Sequence, residues 1–182
     1  MDWIISIFLG IGLAAAVGFR LFLPFLVVNL AAQLGLLELA SGFEWMGSTP
    51  ALILFATASL LEVLAYFIPW FDNLLDIITA PAAMICGTLM MASIMIDMAP
   101  WIRWTLAVIA GGGTAGMIKG TSATTRAITS VTTAGIGNPI IATIEATGSI
   151  ILSVMAIFLP VLTIIVVLVL GALMVRRFRI QT

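Results

Sequence analysis

Charge and histidine are both scarce in this sequence, and their scarcity excludes several classes of protein. The 182 residues include no histidine, and charged side chains make up 8% of them, whereas about a quarter of a typical soluble domain is charged. A water-facing surface cannot be built from so few charges, so we expect lipid to cover most of the molecule. The net charge of −1 supplies no basic field for nucleic acid. The absence of histidine removes the commonest general base.

The sequence also contains a single cysteine, Cys86, within an apolar run. One cysteine excludes an internal disulfide, and we expect Cys86 to fill space in the core. No zinc motif, phosphate-binding glycine loop or nucleophilic serine elbow is present. We therefore predict no metal, no cofactor and no enzymatic activity.

Apolar residues are abundant and occur in long runs. Hydrophobic residues make up 63% of the chain, and the mean hydropathy is +1.29. A helix needs about 20 apolar residues to cross a bilayer. We predict an all-α fold, a polytopic transmembrane helical bundle of about six spans that forms a single membrane domain over residues 1–182. The apolar runs cover residues 3–40, 50–68, 74–98, 101–118, 139–158 and 161–175.

Two segments are predicted to be broken or re-entrant. The run of residues 3–40 is too long for one straight span, and Gly18 and Pro24 favour a break near its middle. The second segment, residues 119–138, is rich in hydroxyl side chains and ends at the breaker sequence Gly-Asn-Pro. This segment is either an extramembrane loop or a polar element at membrane depth, in which Gly120 opens a half-helix.

The two halves of the chain resemble each other. Residues 12–20 read GLAAAVGFR and residues 111–119 read GGGTAGMIK, each a run of small residues that ends in a basic side chain. Repeats over residues 3–98 and 101–178, inverted or parallel, explain this similarity, and so does chance likeness between helices rich in alanine and glycine. In either case we expect the small residues to allow close contact between helices.

Ionisable side chains at membrane depth are rare and are candidates for function. In one interpretation, the basic groups are neutralised by the acidic ones and only fix the bundle. In the other, some of these groups line a polar pathway, together with hydroxyl and amide side chains from the second broken segment. The candidates are Arg20, Glu62, Asp72, Asp76, Lys119, Thr121, Ser122, Thr125, Arg126, Asn138 and Glu145.

The predicted function is a small transporter or channel for an ion or small solute. A half-helix that begins at Gly120 would present backbone N–H groups beside Lys119, and Arg20 lies at the matching break of the first half. This arrangement suits an anion or a carboxylate-bearing solute, although hydroxyl groups equally replace the hydration of a permeating species. The alternative is a structural, accessory or lipid-binding subunit without transport activity. We expect a homo-oligomer, since so small a bundle scarcely encloses a pathway alone.

Three blocks of the sequence resemble a known family of small bacterial integral membrane proteins, the domain of unknown function 4126. The blocks are residues 12–26, residues 72–76 with Pro81 and Gly87, and residues 135–139 followed by Glu145. The resemblance covers nearly the whole chain and implies a multi-span protein of the bacterial inner membrane. It implies no activity and no site residue.

The end of the chain predicts its orientation in the membrane. Arg176, Arg177 and Arg179 directly follow the last apolar run. Basic residues close to a span favour the cytoplasmic side, so we expect a cytoplasmic C-terminus.

Overall fold

A computed structural model describes the backbone of residues 3–65, 69–133 and 137–180, and the side chains of residues 3–65, 78–133 and 137–173. This backbone consists of helices and irregular segments, which confirms the all-α class. The elements are α1 (Trp3–Phe19), α2 (Leu23–Gln33), a 3₁₀ turn (Glu44–Gly47), α3 (Thr49–Ala65), α4 (Pro69–Ile94), α5 (Pro100–Leu106), a π-helical segment (Ala107–Gly112), α6 (Gly113–Thr133), α7 (Asn138–Phe158) and α8 (Pro160–Ile180).

Prolines determine where most of the helices begin. A proline in the first turn needs no N–H partner, and its fixed φ angle suits the helix. Pro81 is different, because it lies inside α4 and removes one backbone hydrogen bond there. The prolines in first turns are Pro24, Pro50, Pro69, Pro100, Pro139 and Pro160.

The first predicted break is confirmed. Helix α1 ends at Phe19 and α2 begins at Leu23, so the run of residues 3–40 forms two helices with Arg20 between them. The loop after α2 is held in place by Asn29, a fully buried residue whose side-chain amide donates to the carbonyl oxygens of Met46 and Ser48. At the break itself Arg20 and Leu21 are almost completely buried, so it lies in a well-packed part of the molecule.

The second predicted break does not lie at Gly120. Residues 113–133 form the continuous helix α6, so Gly120 opens no half-helix and residues 119–133 form no loop. The depth of this helix in a membrane stays a prediction. The helix accommodates the threonine hydroxyls because they donate to carbonyl oxygens four residues earlier, as Thr125 does to Thr121. Such bonds let hydroxyl-rich sequence remain helical. The irregularity lies upstream instead, in the π-helical segment Ala107–Gly112.

One shorter connection is also corrected. The apolar runs over residues 50–68 and 74–98 imply a connection between them, but residues 70–73 belong to α4, which begins at Pro69. The reason is the position of Pro69, which suits the first turn of a helix rather than the end of the preceding one.

Helix α1 is the central helix of the bundle. It packs against α4, α6, α7 and α8, and its residues Leu9, Leu13 and Val17 are almost completely buried. A polar or larger residue at these positions would disturb the packing around the central helix. The core therefore places the C-terminal end of α1, and Arg20 after it, among α6 and α7.

Small residues allow these helices to approach closely, as predicted. A Cβ atom added at Gly18 would lie 2.6 Å from Cβ of Ile118 in α6, and one at Gly87 would lie 2.8 Å from the carbonyl oxygen of Gly111. The contact between Gly18 and Ile118 joins the two similar small-residue runs, residues 12–20 and 111–119.

The lengths of the helices bear on the predicted spans. In the part of the chain that the structure describes, α7 is the one helix that is long and apolar enough to cross a bilayer by length and composition. Apolar helical stretches with described side chains also cover residues 3–19, 23–33, 49–65, 78–94 and 160–173, of which the last two are parts of α4 and α8. The number of spans and the repeats over residues 3–98 and 101–178 stay predictions.

A buried cluster of arginines and glutamate as candidate functional site

Glu145 of α7 is the centre of the candidate site. The buried residues of α7 recur every three or four positions and include Ala142, Glu145 and Ser149. This spacing places them on one helix face, which is turned toward the interior of the bundle. The side chain of Glu145 is buried, with 5% of its surface exposed. A carboxylate so deep in an apolar bundle requires donors around it.

Helix α6 supplies most of these donors. Arg126 Nε donates to Oε1 of Glu145 at 3.3 Å, and Arg126 Nη2 donates to Oε2. Ser122 Oγ also donates to Oε1. Ser122 and Arg126 stand four residues apart and therefore share one face of α6. Together they bind both carboxylate oxygens, a two-point contact that fixes the orientation of the carboxylate.

A second guanidinium approaches from the break between α1 and α2. Nη2 of Arg20 lies 3.8 Å from Oε2 of Glu145 and donates to the carbonyl oxygen of Ala142 at 2.8 Å. Both arginines are 1% exposed. Helix α6 and the break between α1 and α2 thus both approach the Glu145 carboxylate of α7. The attraction between the guanidinium groups and this carboxylate is strong because water does not screen it.

Glu62 of α3 stabilises the same break from another direction. Its Oε1 accepts from the backbone N–H of Leu21 at 2.8 Å, and its Oε2 accepts from that of Phe22 at 3.1 Å. The first N–H groups of a helix lack partners within the helix, and a negative charge near them is favourable. Glu62 therefore holds the start of α2, directly after Arg20.

Lys119 adds a third buried cation. It is 2% exposed and lies on the inward face of α6 with Ser122 and Arg126. Among the side chains that the structure describes, the buried charged ones are thus three basic and two acidic groups. They are Arg20, Lys119, Arg126, Glu62 and Glu145. We call these five residues the charged cluster.

The structure places the other predicted site residues elsewhere. The hydroxyls of Thr121 and Thr125 donate to carbonyl oxygens of α6 itself. Asn138 donates from Nδ2 to Oγ of Ser130 at 2.8 Å and so joins the start of α7 to α6. Asp72 and Asp76 belong to the helical backbone of α4, but their side chains lie outside the described residues.

Two hydrogen-bonding groups in this region of the bundle were not predicted from the sequence. One is the carbonyl group of Ala142, which accepts from Arg20. The other is Ser149, whose Oγ donates to the carbonyl oxygen of Ala16 at 3.0 Å and joins α7 to α1. The spacing of Ala142, Glu145 and Ser149 is a signal for Ser149, whereas no side-chain pattern reveals a backbone carbonyl.

The arrangement resembles an anion-binding site in which the bound anion is a side chain of the protein itself, the carboxylate of Glu145. Two guanidinium groups and one hydroxyl surround a planar carboxylate, and arginine is the side chain best suited to such recognition. The site therefore surrounds the Glu145 carboxylate with hydrogen-bond donors and positive charge.

Comparison with known protein families gives a match over nearly the whole chain. A family model described as "Domain of unknown function (DUF4126)" matches residues 7–179, a range that includes the whole charged cluster. This match confirms the resemblance inferred from the sequence. No curated protein and no solved structure matches the chain.

Proposed function

The chain belongs to the family described as domain of unknown function DUF4126, and because this description supplies no activity, we propose a function from the charged cluster. The protein is a small polytopic membrane protein that transports or conducts an ion or small solute. The polar pathway passes the side chains of Arg20, Arg126 and Glu145. The observation that carries the proposal is the burial of these charges beside a helix break.

The exposed surface supports a membrane setting. Large apolar side chains are exposed on several helices, among them Ile53 and Leu61 of α3, Ile85 of α4 and Ile144 of α7. Water would penalise such a surface, whereas lipid tails match it. With about six spans in the bacterial inner membrane, the basic C-terminal residues lie on the cytoplasmic side.

Energetics favour a functional role for the charges. Apolar residues of similar volume stabilise a buried site as well as an ion pair does, or better. If stability were the only requirement, a buried arginine–glutamate pair would therefore offer no advantage over apolar residues. A helix interrupted next to a charged group is also the way in which many transporters build a solute site.

A structural or accessory role, with or without lipid binding, is the second candidate. The observation that favours it is the internal pairing of the charges, since Glu145 binds Arg126 and Glu62 holds the start of α2. In this case the cluster only fixes the positions of the helices. The two candidates differ in one measurable property, which is the access of water-soluble molecules to the cluster.

Cysteine labelling measures this access. We would place single cysteines by Ser122→Cys and Thr124→Cys in a Cys86→Ala background and treat sealed vesicles with an anionic, membrane-impermeant thiosulfonate. Ser122 touches the Glu145 carboxylate, whereas Thr124 is exposed on the outer surface of α6. We expect the cysteine at position 122 to react and the cysteine at position 124, facing lipid, to remain unmodified.

The contradicting outcome is equally clear. If position 122 reacts only after denaturation, no aqueous pathway reaches the charged cluster, and the accessory role replaces the transport proposal. Labelling after denaturation also verifies that each variant carries a free thiol.

A further inference from the structure

We infer that the solute is a small carboxylate anion, which binds between Arg20 and Arg126 in the position that the Glu145 carboxylate occupies. The inference rests on the proposed function and specifies the chemistry of its solute. In the structure, Glu145 acts as an internal substitute for this anion, so that binding is an exchange of one carboxylate for another.

The first argument is the set of donors. Arg126 contacts both oxygens of Glu145, and Ser122 donates to one of them. A guanidinium fork matches two oxygens in one plane, which is the shape of a carboxylate. None of these donors depends on the covalent link between the carboxylate and α7. A free carboxylate would therefore receive the same hydrogen bonds.

The second argument is charge. Arg20, Arg126 and Lys119 are all buried in this region, while Glu62 is engaged with the backbone at the start of α2. The three basic and two acidic groups of the charged cluster have a net charge of +1, which disfavours the entry of a cation in surroundings that screen charge poorly. A monoanion that replaces Glu145 keeps the charge beside the guanidinium groups unchanged.

The third argument is size. On α7 the site is flanked by Ala142 and Ser149, both small and almost completely buried. Arg20 closes another side by its bond to the Ala142 carbonyl oxygen. The position between the guanidinium groups is therefore suited to an anion of a few heavy atoms rather than to one with a long chain.

The experiment uses acetate to replace the atoms that Glu145→Ala removes. Alanine lacks the terminal CH₂ and carboxylate of glutamate, and acetate supplies an equivalent group. We expect acetate to raise the Tm of the Glu145→Ala variant by about 5 °C or more, in a saturable manner. Acetamide, which has the same shape without the charge, should have no such effect.

Two matched variants show whether the response belongs to the site. Glu38→Ala removes an exposed glutamate and should give no response to acetate. Adding Arg126→Gln to Glu145→Ala should abolish the response, because the fork is lost. Equal shifts with acetate and acetamide, or an undiminished response in the double variant, would overturn the inference.

A second measurement uses the wild-type protein and so does not depend on the folding of the Glu145→Ala variant. We expect the ¹⁹F signal of trifluoroacetate to broaden in the presence of the protein and to sharpen again when acetate is added. In Arg126→Lys, which keeps the charge but not the fork, the broadening should fall at least severalfold. Broadening that Arg126→Lys leaves unchanged would overturn the inference.

Fatty acids carry the same head group, so laurate is compared with acetate as a competitor. Stronger competition by laurate would assign the site to lipid and overturn the small-anion inference. Failure here is distinct from failure of the proposed function. Labelling at position 122 without acetate binding leaves the pathway in place and removes only the solute class.

Discussion

Replacing Glu145 by alanine is expected to lower the free energy of unfolding by about 3–5 kcal/mol, the cost of breaking a buried ion pair from one side. The variant removes the acceptor of Arg126 and Ser122 and the anion that lies 3.8 Å from Arg20. The guanidinium groups remain in a bundle where they are 1% exposed. Their desolvation is then no longer offset by the carboxylate.

The measurement is unfolding of the purified protein in detergent, with Glu38→Ala as the control. Glu38 is an exposed glutamate, so its replacement should change stability by no more than about 0.5 kcal/mol. A double-mutant cycle with Arg126→Ala then isolates the coupling between Arg126 and Glu145. If Glu145→Ala is as mild as the control, the ion pair does not contribute to stability.

The second large effect is expected at Gly87, where α4 crosses the π-helical segment. A Cβ at this position would lie 2.8 Å from the carbonyl oxygen of Gly111, a backbone atom that cannot move aside alone. Gly87→Ala must therefore separate the two elements, and overpacking of this kind costs about 1–3 kcal/mol. The close approach also accounts for Gly111 and Gly112, where an added Cβ would lie 2.7 Å from the carbonyl oxygen of Gly87 and 2.6 Å from Oγ1 of Thr88.

Gly120→Ala is the matched control, because it makes the same chemical change in open space. Apart from its chain neighbours and the backbone of α6 itself, no heavy atom lies within 4 Å of a Cβ added at Gly120, which is in the interior of α6. There alanine should stabilise the protein by about 0.4–1 kcal/mol through a less flexible unfolded chain. The two substitutions thus have opposite signs, and a neutral or stabilising Gly87→Ala would contradict the close packing of α4.

Local signals in the sequence predicted much of the helical architecture. Gly18 and Pro24 marked the break between α1 and α2, because both residues weaken a helix in ways that depend on the backbone alone. Thr125 and its neighbours were misleading, since a hydroxyl-rich segment suits either a loop or a helix with bonds to its own carbonyls. The packing of α6 against α1 and α4 is a tertiary effect that no local pattern contains.

The charged cluster could be predicted in its members but not in its pairing. Arg20, Arg126 and Glu145 stood out because charges are rare in apolar sequence. Arg20 and Glu145 are far apart in the chain, and the choice of Glu145 rather than Glu62 as the partner of Arg126 depends on how α6 and α7 pack. For Asp72 and Asp76, a role in the pathway stays a prediction.

The most direct test of the proposed pathway is the flux of trifluoroacetate into vesicles that contain the purified protein. This anion stays ionised at neutral pH and so does not leak through lipid as a neutral acid. We predict saturable flux for the wild type and for Arg103→Gln, a control that removes a charge outside the cluster. In the double variant Arg20→Gln/Lys119→Gln the flux should be at least tenfold lower than in the wild type. Wild-type flux through a well-folded double variant, or flux no faster than in empty vesicles, would contradict the account.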